Sequence, residues 1–248
     1  MPFTISHAFF ALPIRHIHVQ FFSVTGLVLG SMAPDLEYFL YLEPHRGIGH
    51  TWQGLLLQAL PLCLLLAALF HYIVKMPLSQ HLPSTYKLDA RCAALLRREQ
   101  LRSLKDWGIL ILSIIIGFVT HIVIDEFTHA GSSLAHIFPW IWQYELLGLP
   151  IYKLLQYGGS IIGLIGLAVI LCFRLAREQV ESDAEATASS KQKLLFWLLV
   201  VLFSVLVTLL KLMLSPSENT IGILVVAPIS GAVVGLVLTS LIVQRLSH

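Results

Sequence analysis

Five long apolar runs constrain this chain more than any other feature of its sequence. Each run reaches the roughly 20 residues that an α-helix needs to cross a bilayer. The runs are residues 54–74, 107–128, 158–176, 194–214 and 221–243. We therefore predict an all-α, polytopic integral membrane protein with about five transmembrane helices.

One further apolar stretch lies near the start of the chain. Residues 21–33 are too few, and too rich in glycine and serine, to form a sixth span. We predict that this stretch is a re-entrant or interfacial element.

The composition supports the membrane prediction and excludes other classes of protein. Charged residues make up 12% of the 248 residues, whereas soluble domains have roughly 25%. The formal net charge of +2 does not favour a polyanionic partner, so a nucleic-acid-binding module is excluded. The chain nevertheless has 11 histidines, almost as many as its 14 acidic residues. This excess of imidazole needs an explanation.

The basic residues predict the orientation in the membrane. Most of the 16 lysines and arginines lie in the connections after the first and third runs or after the last run. Basic residues near short loops stay on the cytoplasmic side. We therefore place residues 31–51, 129–157 and 215–220 on the extracytoplasmic side of a bacterial inner membrane.

The sequence also predicts a division into three parts. Residues 177–193 have the composition of a solvated cytoplasmic linker. They separate a polar-rich membrane domain, residues 1–176, from a two-helix membrane tail, residues 194–248.

The second apolar run contains an unusual polar face. At about 100° per residue, His121, Asp125, Thr128 and His129 share one side of a helix. Ionisable residues at membrane depth are costly and usually face a bundle interior or a wet cavity. This face is therefore a predicted functional site in the outer half of the helix.

The outer loop before the first run supplies complementary groups. Asp35 follows a proline, and His50 precedes Thr51, a predicted N-cap of the spanning helix. His7 near the start of the chain and His136 further on are additional candidates, provided that the N-terminus lies outside. We predict that these residues approach His121, Asp125 and His129 at one outward-facing point.

Imidazole nitrogens and carboxylate oxygens together are typical of a divalent metal site. They suit zinc, with manganese, iron or nickel as alternatives. A bound ion lowers the pKa of its water towards about 7 and polarises an ester or phosphoryl oxygen. Arg46, close to His50, is a predicted contact for a substrate phosphate.

The residues also resemble a known family. The order His7, Pro34-Asp35, Arg46-Gly47-x-Gly49-His50, His121-x-x-x-Asp125 and Thr128-His129-x-Gly131 resembles bacterial membrane-bound proteins described as metal-dependent hydrolases, within a subgroup of unknown function. It is more distantly similar to the zinc-dependent phospholipase C and P1-type nuclease fold, which is helical and gathers its ions between helices. The resemblance covers roughly residues 1–157.

The resemblance implies a set of site residues. Asp35, His50, His121 and Asp125 would be metal ligands, with His7 completing one site and His129 or His136 a second. The phospholipase pattern contains a later His-x-x-x-Glu that this chain lacks after His136. We therefore expect one or two ions instead of three.

We predict a metal-dependent hydrolase that acts on a phosphoester of a lipid or lipid-linked substrate at the outer membrane face. His121 and Asp125 are the predicted catalytic residues, and Asp125 is able to bridge two ions. Two alternatives stay open. One is a proton or metal transport or relay protein. The other is a non-enzymatic membrane scaffold stabilised by bound metal.

Overall fold

The chain folds almost entirely into helices. The computed structural model describes residues 3–45, 47–180, 188–215 and 217–246. The α-helices, numbered in chain order, are α1 His7–Ala11, α2 Val24–Met32, α3 Leu36–Tyr41, α4 Trp52–Gln80, α5 Leu88–Arg97, α6 Leu104–Thr128, α7 Trp140–Gln143, α8 Ile151–Arg177, α9 Ser190–Leu214 and α10 Thr220–Leu246.

Short elements connect these helices. A two-residue hairpin pairs Glu145 with Pro150 and Leu146 with Leu149 in antiparallel register. Its strands are β1 Glu145–Leu146 and β2 Leu149–Pro150. The 3₁₀ turns are Thr4–Ser6, Leu12–His16, Val19–Phe21, Ala33–Asp35, Thr85–Lys87 and Ser133–His136.

The predicted membrane architecture is confirmed. Five helices, α4, α6, α8, α9 and α10, are long and apolar enough to cross a membrane. Each of these helices contains one of the predicted apolar runs. The helices are longer than the runs, because the polar residues at one or both ends of a run are also helical. The hydroxyl of Thr51 accepts a hydrogen bond from the Gly54 amide at 3.0 Å, which confirms Thr51 as the N-cap of α4. Helix α4 contains two π-helical turns, Leu55–Ala59 and Phe70–Val74.

Contacts divide the chain into two compact units. The first comprises residues 1–35, 48–64 and 102–172, and the second comprises residues 36–47, 65–101 and 173–248. The predicted division into residues 1–176, 177–193 and 194–248 rested on composition. These contacts do not test it, and it stays a prediction.

In the first unit, the short helix α2 lies directly against α6. A Cβ atom added to Gly30 would lie 2.7 Å from Cα of Ile114, and one added to Gly117 would lie 2.6 Å from the Leu27 carbonyl oxygen. The two backbones therefore touch, and only glycine fits at these positions. With 9 residues, α2 is far shorter than a span. Residues 21–33 thus form a helix that packs beside a spanning helix and does not cross the membrane itself.

In the second unit, helices α9 and α10 pack together. Pro228 lies inside α10, and the Ser204 hydroxyl on α9 donates a hydrogen bond of 2.7 Å to the Pro228 carbonyl oxygen. Two ion pairs join distant parts of this unit. Lys193 Nζ lies 2.6 Å from Asp89 Oδ2, and Lys211 Nζ lies 2.8 Å from Glu43 Oε1.

Candidate metal centre

The first unit brings six predicted site residues together. They come from five places in the fold: the start of α1, the 3₁₀ turn before α3, the loop before α4, the C-terminal half of α6 and the residue that follows α6. The residues are His7, Asp35, His50, His121, Asp125 and His129. Their proximity agrees with the sequence analysis, whereas their role as ligands stays a prediction.

The Asp125 carboxylate is the centre of this cluster, and four imidazoles surround it. Oδ1 lies 3.5 Å from Nε2 of His7 and 3.5 Å from Nδ1 of His129. Oδ2 lies 3.3 Å from Nε2 of His121 and 3.6 Å from Nε2 of His50. These distances are longer than normal hydrogen bonds of about 2.7–3.2 Å. Each carboxylate oxygen therefore faces two imidazoles at ligand-to-ligand range.

The surroundings of His121 determine which of its nitrogens carries the proton. Nδ1 lies 2.7 Å from the carbonyl oxygen of Ser31 in α2. A carbonyl oxygen only accepts hydrogen bonds, so Nδ1 carries a hydrogen, and in the neutral form of the ring the lone pair is on Nε2. That lone pair faces Asp125 Oδ2, and Nε2 has no hydrogen-bond partner among the described residues. Two buried acceptors facing each other are unfavourable unless positive charge lies between them.

His7 lies beside His121 in the buried part of the cluster. The two rings stack with centroids 3.8 Å apart and planes 14° from parallel. Neither ring nitrogen of His7 has a hydrogen-bond partner among the described residues. Burial, assisted by the neighbouring His121, lowers the pKa of His7 to about 2, so its ring is neutral. A neutral His7 ring has one nitrogen with a lone pair, which is the form of imidazole that binds a metal ion.

Asp35 and His50 form the other side of the cluster. Nε2 of His50 lies 3.5 Å from Oδ1 of Asp35. The other oxygen of Asp35, Oδ2, accepts a hydrogen bond of 2.7 Å from the Thr4 hydroxyl. Thr4 therefore orients the carboxylate so that Oδ1 is directed at His50.

His129 has a denser set of polar neighbours. Its Nδ1 lies 3.2 Å from the Thr128 hydroxyl, and its Nε2 lies 3.3 Å from the side-chain nitrogen of Gln156 on α8. The indole of Trp142 donates a hydrogen bond of 2.9 Å to the His129 carbonyl oxygen. Burial lowers the pKa of His129 below its ordinary value, despite the opposing effect of Asp125.

Exposure differs across the cluster. The side chains of His7 and His121 are 0% exposed, that of Asp125 is 16% exposed, and those of His50 and His129 are 38% and 42% exposed. One end of the cluster is therefore closed, while the other is accessible. A catalytic metal site needs such an open position, whereas a structural site is closed.

The donor atoms fit a divalent ion. Within each of two triads, one ligand atom per residue lies within 4.8 Å of the others: His7, His121 and Asp125, and then Asp35, His50 and His121. Ligands of one tetrahedral zinc, at bond lengths of about 2.0–2.2 Å, are themselves about 3.3–3.6 Å apart. The separations around Asp125 fall in this range. Because Nδ1 of His121 is bound to Ser31, both triads depend on the same nitrogen, Nε2.

Two further candidates from the sequence lie outside this geometry. His136 is exposed on the turn Ser133–His136 and makes no ion pair or ring contact in the part of the chain that the structure describes. Arg46, the predicted phosphate contact, lies outside the described residues.

The structure adds residues that the sequence analysis missed. Thr4 orients Asp35, the Ser31 carbonyl orients His121, and Gln156 contacts His129. Lys153 in turn donates to Gln156 Oε1 at 3.1 Å. Gln156 carried a detectable signal, because it is a polar residue near the start of an apolar span. The role of the Ser31 backbone carbonyl had no signal in the sequence.

Comparisons with known proteins identify a family but no activity. The family model described as Domain of unknown function (DUF4184) matches residues 1–241. No curated protein and no solved structure matches the chain. The resemblance to metal-dependent hydrolases and to P1-type nucleases therefore has no support from these comparisons.

Proposed function

The chain belongs to the DUF4184 family, whose description assigns no activity, and we propose from its site that it is a membrane-bound, metal-dependent hydrolase. The proposed substrate is a phosphoester of a lipid or lipid-linked molecule. One observation carries the proposal. The buried Nε2 of His121, which has no hydrogen-bond partner among the described residues, lies 3.3 Å from the Asp125 carboxylate, and His121 belongs to both triads of candidate ligand atoms.

A cation between these atoms removes the repulsion. Zinc suits the mixture of imidazole and carboxylate donors, with manganese, iron or nickel as alternatives. His121 Nε2 and Asp125 Oδ2 would hold the ion, together with His50, Asp35 and His7. When bound, such an ion acidifies a water molecule and polarises an ester or phosphoryl oxygen. The buried His7–His121 stack keeps bulk water away from the closed end of the site.

Lys153 supports an anionic substrate. Its ammonium group donates to Gln156, which contacts His129, and it has no acidic partner among the described residues. It also lies 5.7 and 5.8 Å from the ring centroids of Tyr152 and Tyr157. A positive charge next to the open end of the cluster favours a phosphate group.

The proposed location follows from the membrane character of the chain. Five spans make it a multi-pass membrane protein. Lipid headgroups reach a site at the membrane edge laterally, without crossing water. The distribution of basic residues supports a site on the extracytoplasmic side of a bacterial inner membrane.

The transport or relay alternative needs a polar path along α6 towards the other face. Between Gly108 and Val119 the only polar side chain is Ser113. Its hydroxyl donates to the Ile109 carbonyl oxygen at 2.7 Å and accepts from the Ser23 amide at 2.9 Å. Ser113 therefore fastens α2 to α6 and has no hydrogen left for a relay. This use of Ser113 favours the hydrolase over the transporter.

The test compares metal content and hydrolysis in purified protein. We expect wild type to retain stoichiometric metal without chelator and to hydrolyse p-nitrophenyl phosphate or phospholipid. We expect His121→Ala and Asp125→Asn to lose the metal and at least 100-fold of the activity. His136→Ala is the matched control, because it removes an exposed histidine of the same unit.

Each result decides between the candidates. Wild-type protein without metal overturns the proposal. Metal with no turnover on any phosphoester indicates the scaffold instead. Equal losses in His121→Ala and His136→Ala would show that the cluster has no special role.

A further inference from the structure

We propose that His129 is a hydrogen-bond donor to the cluster and does not bind the ion, and that Gln156 and Lys153 are positioning residues that fix its proton on Nδ1. The inference rests on the proposed function, since it specifies how the same site is organised. It replaces the expectation that His129 is a ligand. The Gln156 contact to Nε2 indicates this tautomer, and the Thr128 contact to Nδ1 agrees with it.

The contact with Thr128 concerns whether Nδ1 of His129 carries a hydrogen. Its hydroxyl has a single hydrogen, which it donates to the Ile124 carbonyl oxygen at 3.2 Å. The same oxygen lies 3.2 Å from His129 Nδ1. With its hydrogen committed, this oxygen accepts, so the hydrogen of the second contact belongs to Nδ1.

The contact with Gln156 indicates whether Nε2 of His129 carries a hydrogen or a lone pair. The Lys153 ammonium only donates, so the amide atom facing it at 3.1 Å is the oxygen of Gln156. The amide nitrogen of Gln156 is then the atom 3.3 Å from His129 Nε2. That nitrogen also only donates, so Nε2 of His129 accepts with its lone pair. A neutral imidazole with its lone pair on Nε2 carries its proton on Nδ1.

This tautomer changes the role of His129. Nδ1 is the nitrogen that faces Asp125 Oδ1 at 3.5 Å, and a protonated Nδ1 has no lone pair for a metal. Nε2 is occupied by Gln156. His129 therefore presents a positive N–H edge to Oδ1. Ligating carboxylates are commonly held by such partners. The other oxygen, Oδ2, faces Nε2 of His121 and Nε2 of His50.

The first test reads the tautomer directly in metal-free protein. Nitrogen NMR on protein with ¹⁵N-labelled histidine distinguishes a protonated ring nitrogen from one with a lone pair. The difference between wild type and His129→Asn assigns the His129 signals. We expect a proton on Nδ1, and a proton on Nε2 overturns the inference. Gln156→Glu replaces the donor by an acceptor, so we expect the proton to move to Nε2.

The second test measures zinc affinity by titration. In His129→Asn the amide nitrogen replaces the Nδ1 donor but no ring nitrogen remains, so we expect a Kd within about threefold of wild type. His121→Asn, the same substitution at the histidine two turns earlier on α6, should weaken binding at least 100-fold. In Gln156→Glu the lone pair freed on Nδ1 should add a ligand and tighten zinc binding, whereas Gln156→Met should not.

The results separate this inference from the proposed function. Zinc binding lost equally in His129→Asn and His121→Asn makes His129 a ligand and overturns the inference, while hydrolysis by wild type still stands. Zinc binding retained in His129→Asn, with no hydrolysis by wild type, supports the inference and overturns the hydrolase. Wild type that binds no zinc overturns both.

Discussion

The two units of this chain handle their buried acidic groups differently. In the second unit three carboxylates have a cation from the chain itself: Asp89 faces Lys193, Glu43 faces Lys211, and Glu178 faces Arg98. In the first unit the carboxylates of Asp35 and Asp125 lie 3.3–3.6 Å from imidazole nitrogens, and Asp35 also accepts a hydrogen bond from Thr4.

The difference distinguishes an ion pair that stabilises the fold from a cluster that is suited to binding an ion. A lysine brings a full positive charge and completes an ion pair within the fold, so the pair needs nothing from outside. A neutral imidazole brings a lone pair and no charge, so it does not complete an ion pair and adds an acceptor of its own. A structural ion pair is complete on folding, whereas a ring of imidazoles is complete only with a cation. This contrast gives the following predictions.

The largest expected effect concerns the second unit. Lys193→Met should destabilise the protein by about 3 kcal/mol, because removal of one partner leaves a buried carboxylate without its counter-charge. The loss stays at the lower end of the usual range because Ser84 and the Ala90 amide still bond Asp89. Thermal unfolding in detergent measures it. Lys191→Met, on the same helix but exposed, should change stability by less than about 0.5 kcal/mol.

The same variant also tests whether metal binding in the first unit is independent of the ion pair in the second unit. Metal content in Lys193→Met should equal that of wild type. A parallel loss of metal would contradict the contrast between a pair complete in itself and a cluster that needs an ion.

Metal removal should affect only the first unit. At a free metal concentration of about 100 Kd, binding to the folded state adds about 2.7 kcal/mol of stability, which a chelator removes. Thermal unfolding of wild type with and without chelator checks the expected decrease. Asp125→Asn should be insensitive to chelator, and Lys193→Met should remain sensitive. Chelator-sensitive unfolding of Asp125→Asn would contradict the assignment.

Gly117→Ala should weaken metal binding although Gly117 is not one of the predicted ligands. A Cβ added at Gly117 would lie 2.7 Å from the Ser31 amide nitrogen, so Gly117→Ala pushes α2 away from α6 and moves the Ser31 carbonyl that holds His121. Loss of such a supporting contact typically costs about 10- to 100-fold in metal affinity. Zinc titration measures the loss.

Gly108 provides a control on the same helix. Nothing lies within 4 Å of a Cβ added there, so Gly108→Ala should bind zinc as wild type does. Equal effects of the two substitutions would argue against transmission through α2.

The smallest effect is a pH dependence of the second unit. Burial raises the pKa of Asp89, but hydrogen bonds from Lys193, Ser84 and the Ala90 amide outweigh burial and hold it below its ordinary value. A lowered folded pKa means that the stabilisation is present above the ordinary carboxyl range and is lost as the pH falls through the folded pKa. The stability gap between wild type and Asp89→Asn should therefore narrow on acidification.

Unfolding measured from pH 7 down to the acidic limit of the detergent system tests this. Glu218→Gln removes an exposed acid that has no ion pair among the described residues, and its gap to wild type should stay constant. A gap for Asp89→Asn that widens in acid would contradict the expected sign.

The sequence predicted the features that depend on local patterns. Hydropathy over about 20 residues was enough for the five spans, and helical spacing placed His121 and Asp125 on one face. Thr51 was predictable as a cap because capping depends on residues three positions apart.

The remainder depends on contacts between distant segments. Ser31 lies 90 residues from His121 and acts through its backbone, which has no side-chain signature. Gln156 is recognisable in the sequence as a polar residue near a span, but its role became visible only once the structure placed its amide between His129 and Lys153. The same holds for α2, whose burial depends on glycines matched between two separate helices. The roles of these residues become visible only in three dimensions.

The wide separation of the donors along the chain has a consequence for biosynthesis. The first, His7, leaves the ribosome long before the last two residues of the proposed ion-binding set, His121 and Asp125. The ion therefore has no complete site until α6 has been made and α2 has docked against it. Ion binding adds its free energy to that of the folded state. The metal therefore stabilises the N-terminal half of the chain only after that half has assembled correctly.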